Sequence, residues 1–149
     1  MCCGWIGSDY QEVVHKMITP YCNPMKMFAS WLYNLQSLLQ PKQKVEIWTF
    51  NGLKYEMKFL IHHLVRFFKV VRPMGELSSM KALKVSDNIT IYDARTLYPS
   101  GSLASISGQV NTHFIKAQFD IGKISSYSSW RSSEKDVLKY CVMDCLATM

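Results

Sequence analysis

No apolar run in this chain approaches the roughly 18 residues that a membrane-spanning helix needs, so a soluble protein without a membrane partner is expected. Cysteine is scarce and unpatterned, with five residues at positions 2, 3, 22, 141 and 145. An odd set lacking any C-x-x-C pair suggests neither a disulfide framework nor a zinc ribbon, and points to free thiols in a reducing compartment. The opening stretch "MCCGWIGSDYQEVV" has no continuous apolar core of the kind a secretory signal carries. A Gly-rich phosphate loop and a Gly-x-Ser-x-Gly elbow are both missing, which removes two large classes of nucleotide and ester chemistry. Internal repeats, low-complexity tracts and an interdomain linker are also absent.

What remains is enough for a core. The chain has 149 residues, 48% of them hydrophobic and 13% aromatic, a length at which roughly 70% of the unfolded surface can be hidden without covalent staples. Lys and Arg number 17 against 11 acids, a formal charge of +6. That excess favours a polyanionic partner.

Asn23-Pro24 ahead of Phe28, Trp31, Leu32, Leu35, Leu38 and Leu39 has the spacing of an amphipathic helix, capped at its start and stopped by Pro41. Residues 45–50 read as a strand, and 55–68 as a second helix with Phe59, Leu60, Leu64 and Phe67 inward. Three β-prone runs follow at 68–71, 81–85 and 89–93, separated by turn residues as in a meander. Residues 99–133, rich in Ser and Gly, read as loop with one short helix near Leu103. From Glu134 onward Val137, Leu138, Cys141 and Cys145 form the stripe of a last helix. Strand, turn, helix is the α/β pattern, with residues 1–24 poorly defined and one domain over 25–149.

The stretch "WTFNGLKYEMKFLI" breaks a strand at Asn51-Gly52 and restarts as a helix. Such a junction lies at the C-terminal end of a strand, where open α/β sheets keep their sites. On the last helix Tyr140 and Asp144, four apart, share one face. His62 and His63 point about 100° apart and do not chelate one ion together. Cys141 and Cys145 have i, i+4 spacing but continue the apolar stripe, and Asn88-Ile-Thr90 is a glycosylation sequon relevant only to a secreted chain.

The order of four segments carries a resemblance. "NGLKYE", "YDARTLYPSGSL", "KAQFDIGKI" and "YCVMDC" together resemble the 3′-5′ exonuclease domain of protein-primed family B DNA polymerases, found in phages and in linear plasmids of mitochondria. The likeness covers about residues 25 to 149. It implies a ribonuclease-H-like exonuclease domain, truncated at both ends. Asn51 and Tyr55 then match a motif that contacts the 3′-terminal nucleotide, and Glu56 its metal-site acid. Tyr140 and Asp144 match the Tyr-x3-Asp motif, the Asp being catalytic and a metal ligand, and Lys116 with Phe119 match a Lys-x2-hydrophobic motif whose lysine assists catalysis. The implied cofactors are two Mg²⁺ or Mn²⁺ ions, which prefer carboxylate oxygens and would activate water and stabilise the leaving 3′ oxygen.

The implied partners are the 3′ end of single-stranded DNA and, for a full-length parent, a terminal protein, in a mitochondrial or other intracellular setting. The chain departs from the pattern where Glu56 stands for Asp, where Ala94-Arg95 replaces a DNA-contacting Ser-Leu, and where the first motif, Asp-x-Glu, is reduced to Asp9 and Glu12. A poor nuclease, or none, is therefore expected of the chain alone. "DARTLYPS" also resembles a polymerase motif whose Asp binds metal, which would make Asp93 a ligand. The alternatives are a non-catalytic module binding single-stranded nucleic acid, with Lys116, Lys123 and Arg131 to the fore, and an unrelated soluble α/β domain.

Overall fold

The computed structural model describes residues 2–7, 10–15, 22–76, 79–110 and 119–148. They gather into two compact units, one of Met1–Met17 with Gly101–Met149 and one of Ile18–Ser100.

In the Ile18–Ser100 unit, helix α1 (Pro24–Leu38) starts where the Asn23 side chain accepts the N–H of Lys26 at 3.0 Å, with Pro24 in the first turn. A proline there loses no helical hydrogen bond and brings its φ ready-made. Extended Leu39 ends the helix two residues before Pro41. Strand β3 (Val45–Thr49) and helix α2 (Glu56–Leu64) follow, then β4 (Arg72–Met74), β5 (Ala82–Lys84) and β6 (Ile89–Asp93). The sheet order is β3-β6-β5-β4. β3 runs parallel to β6, and β5 is antiparallel to both β6 and β4.

This is the mixed α/β class expected from the sequence, but side-chain phase corrects it in detail. Ala29 and Leu32 of α1 and Met57, Leu60 and Leu64 of α2 join Leu83, Ile89 and Ile91 in one apolar cluster. Both helices therefore bury their stripes against the same face of the sheet. Each fully buried leucine contributes about 2 kcal/mol through area removed from water. Phe59, expected inward, is 69% exposed. The stripe Met57, Leu60, Leu64 follows i, i+3, i+7, and Phe59 lies about 100° away from Leu60. Leu38 likewise faces solvent.

Residues 68–71 are not a strand. The amides of Phe67 and Phe68 donate to the Leu64 carbonyl, both at 2.9 Å, so a closing turn uses groups that a sheet ladder would need. Phe68 folds into the core and the strand starts at Arg72.

Asn88 acts as a clamp between distant segments. Its side-chain amide donates to the carbonyls of Gln40, Pro41 and Gln43. Its own carbonyl accepts the Val45 amide at 2.7 Å, which sets the first residue of β3 against β6.

The other unit begins with a hairpin of β1 (Cys2–Gly7) and β2 (Tyr10–His15), paired from Cys2 opposite His15 to Gly7 opposite Tyr10. Glu12 thus lies in a strand within the segment read as poorly defined, while Asp9 is outside the described residues. Helices α3 (Leu103–Val110), α4 (Tyr127–Ser132) and α5 (Glu134–Thr148) complete it, and α5 packs on the hairpin, α3 and α4. α4 occupies part of the stretch read as loop. Ser126 accepts the Ser129 amide while the Ser129 hydroxyl bonds back to the Ser126 amide, a capping box with Ser in place of the usual Glu or Gln. Among the described residues no helix is long and apolar enough to cross a membrane.

Candidate functional site

Because β3 and β6 run in the same direction, Thr49 and Asp93 face each other where both strands end. The chain must then turn sharply from β3 into α2. Asn51 takes φ 63°, a left-handed conformation that Asn tolerates better than most residues. Gly52 follows because the turn passes so near Thr49 that a Cβ would sit 2.8 Å from the Thr49 Cβ and Oγ1. The Thr49 hydroxyl is itself fixed, donating to the Tyr92 carbonyl at 3.1 Å.

Asp93 holds the junction. It is 4% exposed, and one carboxylate oxygen accepts the amides of Asn51 at 2.7 Å and Arg95 at 3.0 Å. The other accepts the amide of Leu53 at 3.1 Å. A buried charge is tolerated when its oxygens are met by N–H donors in this way. Both oxygens point at backbone, so Asp93 fits the role of a structural clamp and not that of a metal ligand.

The side chains of Tyr55 and Glu56 stand exposed next to this clamp, at the start of α2. Lys54 lies 5.5 Å from the centre of the Tyr55 ring, a cation over an aromatic face. Glu56 in the first helical turn is favoured by the helix dipole and by the helix's open amides. Thus Asn51, Tyr55 and Glu56 are brought to one strand-to-helix turn: an amide, a phenol ring and a carboxylate beside a basic side chain. Hydrogen bonding to a sugar or base and stacking under a base are both within this set's chemistry.

A pair of hard divalent ions needs several carboxylates, and this turn offers Glu56 alone once Asp93 is committed to amides. Among the described residues no three His, Cys, Asp or Glu side chains are grouped to hold an ion. The residues of the junction therefore do not fit a two-ion centre by themselves.

In the other unit Tyr140 and Asp144 lie one turn apart on α5, both half-buried. Phe119 packs on Tyr140 with ring centroids 5.9 Å apart. That pairing joins residues from two of the motifs recognised in the sequence. Lys116 and the side chain of Cys145 lie outside the described residues. Lys123 is exposed, and Arg131 forms an exposed ion pair with Glu134 at 3.1 Å.

Two features of the Ile18–Ser100 unit escape a reading of the sequence. The role of Asp93 depends on amides some forty residues away. On the sheet face away from the helices, Trp48 and Tyr92 are register partners whose rings stack at 4.8 Å with a 23° tilt. Alternation inside each strand hints that both point outward, but nothing local says that they meet.

Elsewhere, His63 has a ring nitrogen, Nδ1, shut away from solvent and without a hydrogen-bond partner. Burial, followed by the neighbouring charges of His62, Arg66 and Lys26, holds its pKa below the ordinary histidine value. The neutral ring fills a packing role and does not present a ligand pair with His62. No family model, curated protein or solved structure matches this chain.

Proposed function

We propose that the chain is part of the 3′-5′ editing region of a protein-primed family B DNA polymerase, with a ribonuclease-H-like fold, and that the turn between β3 and α2 receives the 3′-terminal nucleotide of a DNA strand. One observation carries this reading. Asn51, Tyr55 and Glu56 stand together where two parallel strands end, on a turn whose backbone is held by Asp93. In open α/β sheets this is the edge at which ligands gather. The excess of positive charge suits a nucleic-acid strand.

On this reading the chain by itself holds DNA and cleaves it poorly. The observation favouring weak cleavage is the single open carboxylate at the turn, since editing with Mg²⁺ or Mn²⁺ needs several. The terminal protein and an intracellular replicating element belong to the full-length parent under the same proposal.

The test follows nucleotide release from a 3′-labelled single strand in Mn²⁺ alongside binding of linear and circular strands. The expected result is binding that prefers a free 3′ end, weakened in Asn51→Ala and Tyr55→Ala, with little release. Equal affinity for circular and linear strands would remove the 3′-end site. Strong release abolished by Asp144→Ala and Glu56→Ala would show instead a working metal centre.

A further inference from the structure

The sheet of the Ile18–Ser100 unit has one face covered by α1 and α2 and, among the described residues, one face without a helix from its own unit. Register fixes what the second face carries. Tyr92 is paired with Trp48 on one side and with Ala82 on the other, Ala82 is paired with Met74, and Thr90 is flanked by Glu46 and Lys84, with Arg72 opposite Lys84. Directly opposed residues point to the same side of a sheet. An aromatic pair with the acid Glu46 beside it therefore stands at one edge of this face and two basic side chains stand toward the other.

We infer that this sheet face, exposed at Trp48, Met74 and Arg72 although Ala82 between them is 3% exposed, is a binding platform for single-stranded nucleic acid, with bases stacking on Trp48 and Tyr92 and phosphates meeting Arg72 and Lys84. Trp48 is 42% exposed although it is a large aromatic in the middle of a strand, and Tyr92 supports its ring from behind. A flat ring pair fixed in place stacks on any base at little entropic cost. Tyr92 and Arg72 are two strands and two residues apart, roughly 12 Å, within the reach of a short run of nucleotides.

Charge decides between occupants. A half-open depression of about 290 Å³ at the Arg72 and Lys84 end of β4 and β5, bordered on the core side by Phe68 and Val85, is lined by Lys69, Arg72 and Lys84, with Asp87 as the acid among its described residues. Asp87 pairs with Lys84 at 2.8 Å, but it is 91% exposed and Lys84 is 41% exposed. An exposed pair of this kind is weak, so a phosphate can displace it. Aromatic stack next to basic rim is the combination that tracks a polyanion whose bases are unstacked.

This surface adjoins the 3′-end turn, since Trp48 and Tyr92 directly precede Thr49 and Asp93, but binding to it does not need a 3′ end, because it reads internal nucleotides. The experiment measures binding of a fluorescent circular oligo-dT, which has no 3′ end, by anisotropy and by quenching of tryptophan fluorescence in the full chain. Trp48→Leu and Tyr92→Leu are each expected to weaken binding about tenfold or more, as loss of one stacked base does. Trp48→Leu also removes most of the quenching. Arg72→Gln and Lys84→Gln each reduce the slope of log affinity on log salt by about 0.7. Failure of the wild-type chain to bind the circle, or wild-type affinity in a Trp48→Leu protein with an unchanged circular dichroism spectrum, overturns the inference. Should Trp48→Leu perturb the fold, Trp48→Phe decides: retained affinity with partial quenching supports stacking, and full loss refutes it. A chain that binds circles yet ignores free 3′ ends would sink the editing proposal and leave this one standing.

Discussion

Replacing Asp93 removes a carboxylate that ties the end of β6 to the turn between β3 and α2. The carboxylate accepts three backbone amides, from Asn51, Leu53 and Arg95, while 4% exposed. Hydrogen bonds to a charged group contribute ~1.5–3 kcal/mol each, and a buried amide left without a partner costs ~1–3 kcal/mol. The terms overlap, and water reaches the half-buried Asn51 and Arg95 though not the buried Leu53, so Asp93→Ala is expected to cost about 3–5 kcal/mol. Asp93→Asn keeps one acceptor oxygen but turns an NH₂ toward amides, so about 2–3 kcal/mol is expected. With a urea slope near 2 kcal/mol/M, the alanine variant should unfold at a midpoint lowered by roughly 2 M. Hydrogen exchange should show the Asn51 and Leu53 amides losing protection even in the folded asparagine variant. Midpoints within about 0.3 M of wild type for both variants would refute the clamp, because that shift corresponds to well under one charged hydrogen bond.

Gly52→Ala places a methyl 2.8 Å from Thr49, and a loss of ~1–3 kcal/mol in chemical unfolding is expected from the forced shift. Asn88→Ala leaves carbonyls of Gln40, Pro41 and Gln43 without their amide donor, for about 1–3 kcal/mol. Asn88→Asp should be worse, since a carboxylate would then face those oxygens. His63 has a folded pKa below the unfolded value, so the unfolded chain takes the proton first. Stability is complete above about pH 6.5 and declines as pH falls from there through the lowered folded value. Thermal melts of wild type and His63→Gln across pH 5 to 8 check this, the variant losing that part of the dependence.

Local signals in the sequence fixed several elements unaided. Asn23, Pro24 and Pro41 bound α1, the β-branched and aromatic run from Val45 makes β3, and Asn51-Gly52 marks the break before α2, because capping and left-handed turns depend on neighbouring residues. A β-prone run bounded by turn residues also placed β6 and its terminal Asp93. Other features were decided by contacts between distant segments. That β3 pairs in parallel with β6 rests on Asn88 reaching back to the loop before β3 and on Asp93 reaching the turn after it. Phe59 faces outward because the core takes the Met57, Leu60, Leu64 stripe, which lies on another side of the helix. Trp48 and Tyr92 become one aromatic surface only through cross-strand register, and register is set by those two clamps. Composition determines which side chains are present and which elements form, but the meeting of an amide, a carboxylate or a ring with its partner some forty residues away is settled only when the sheet closes.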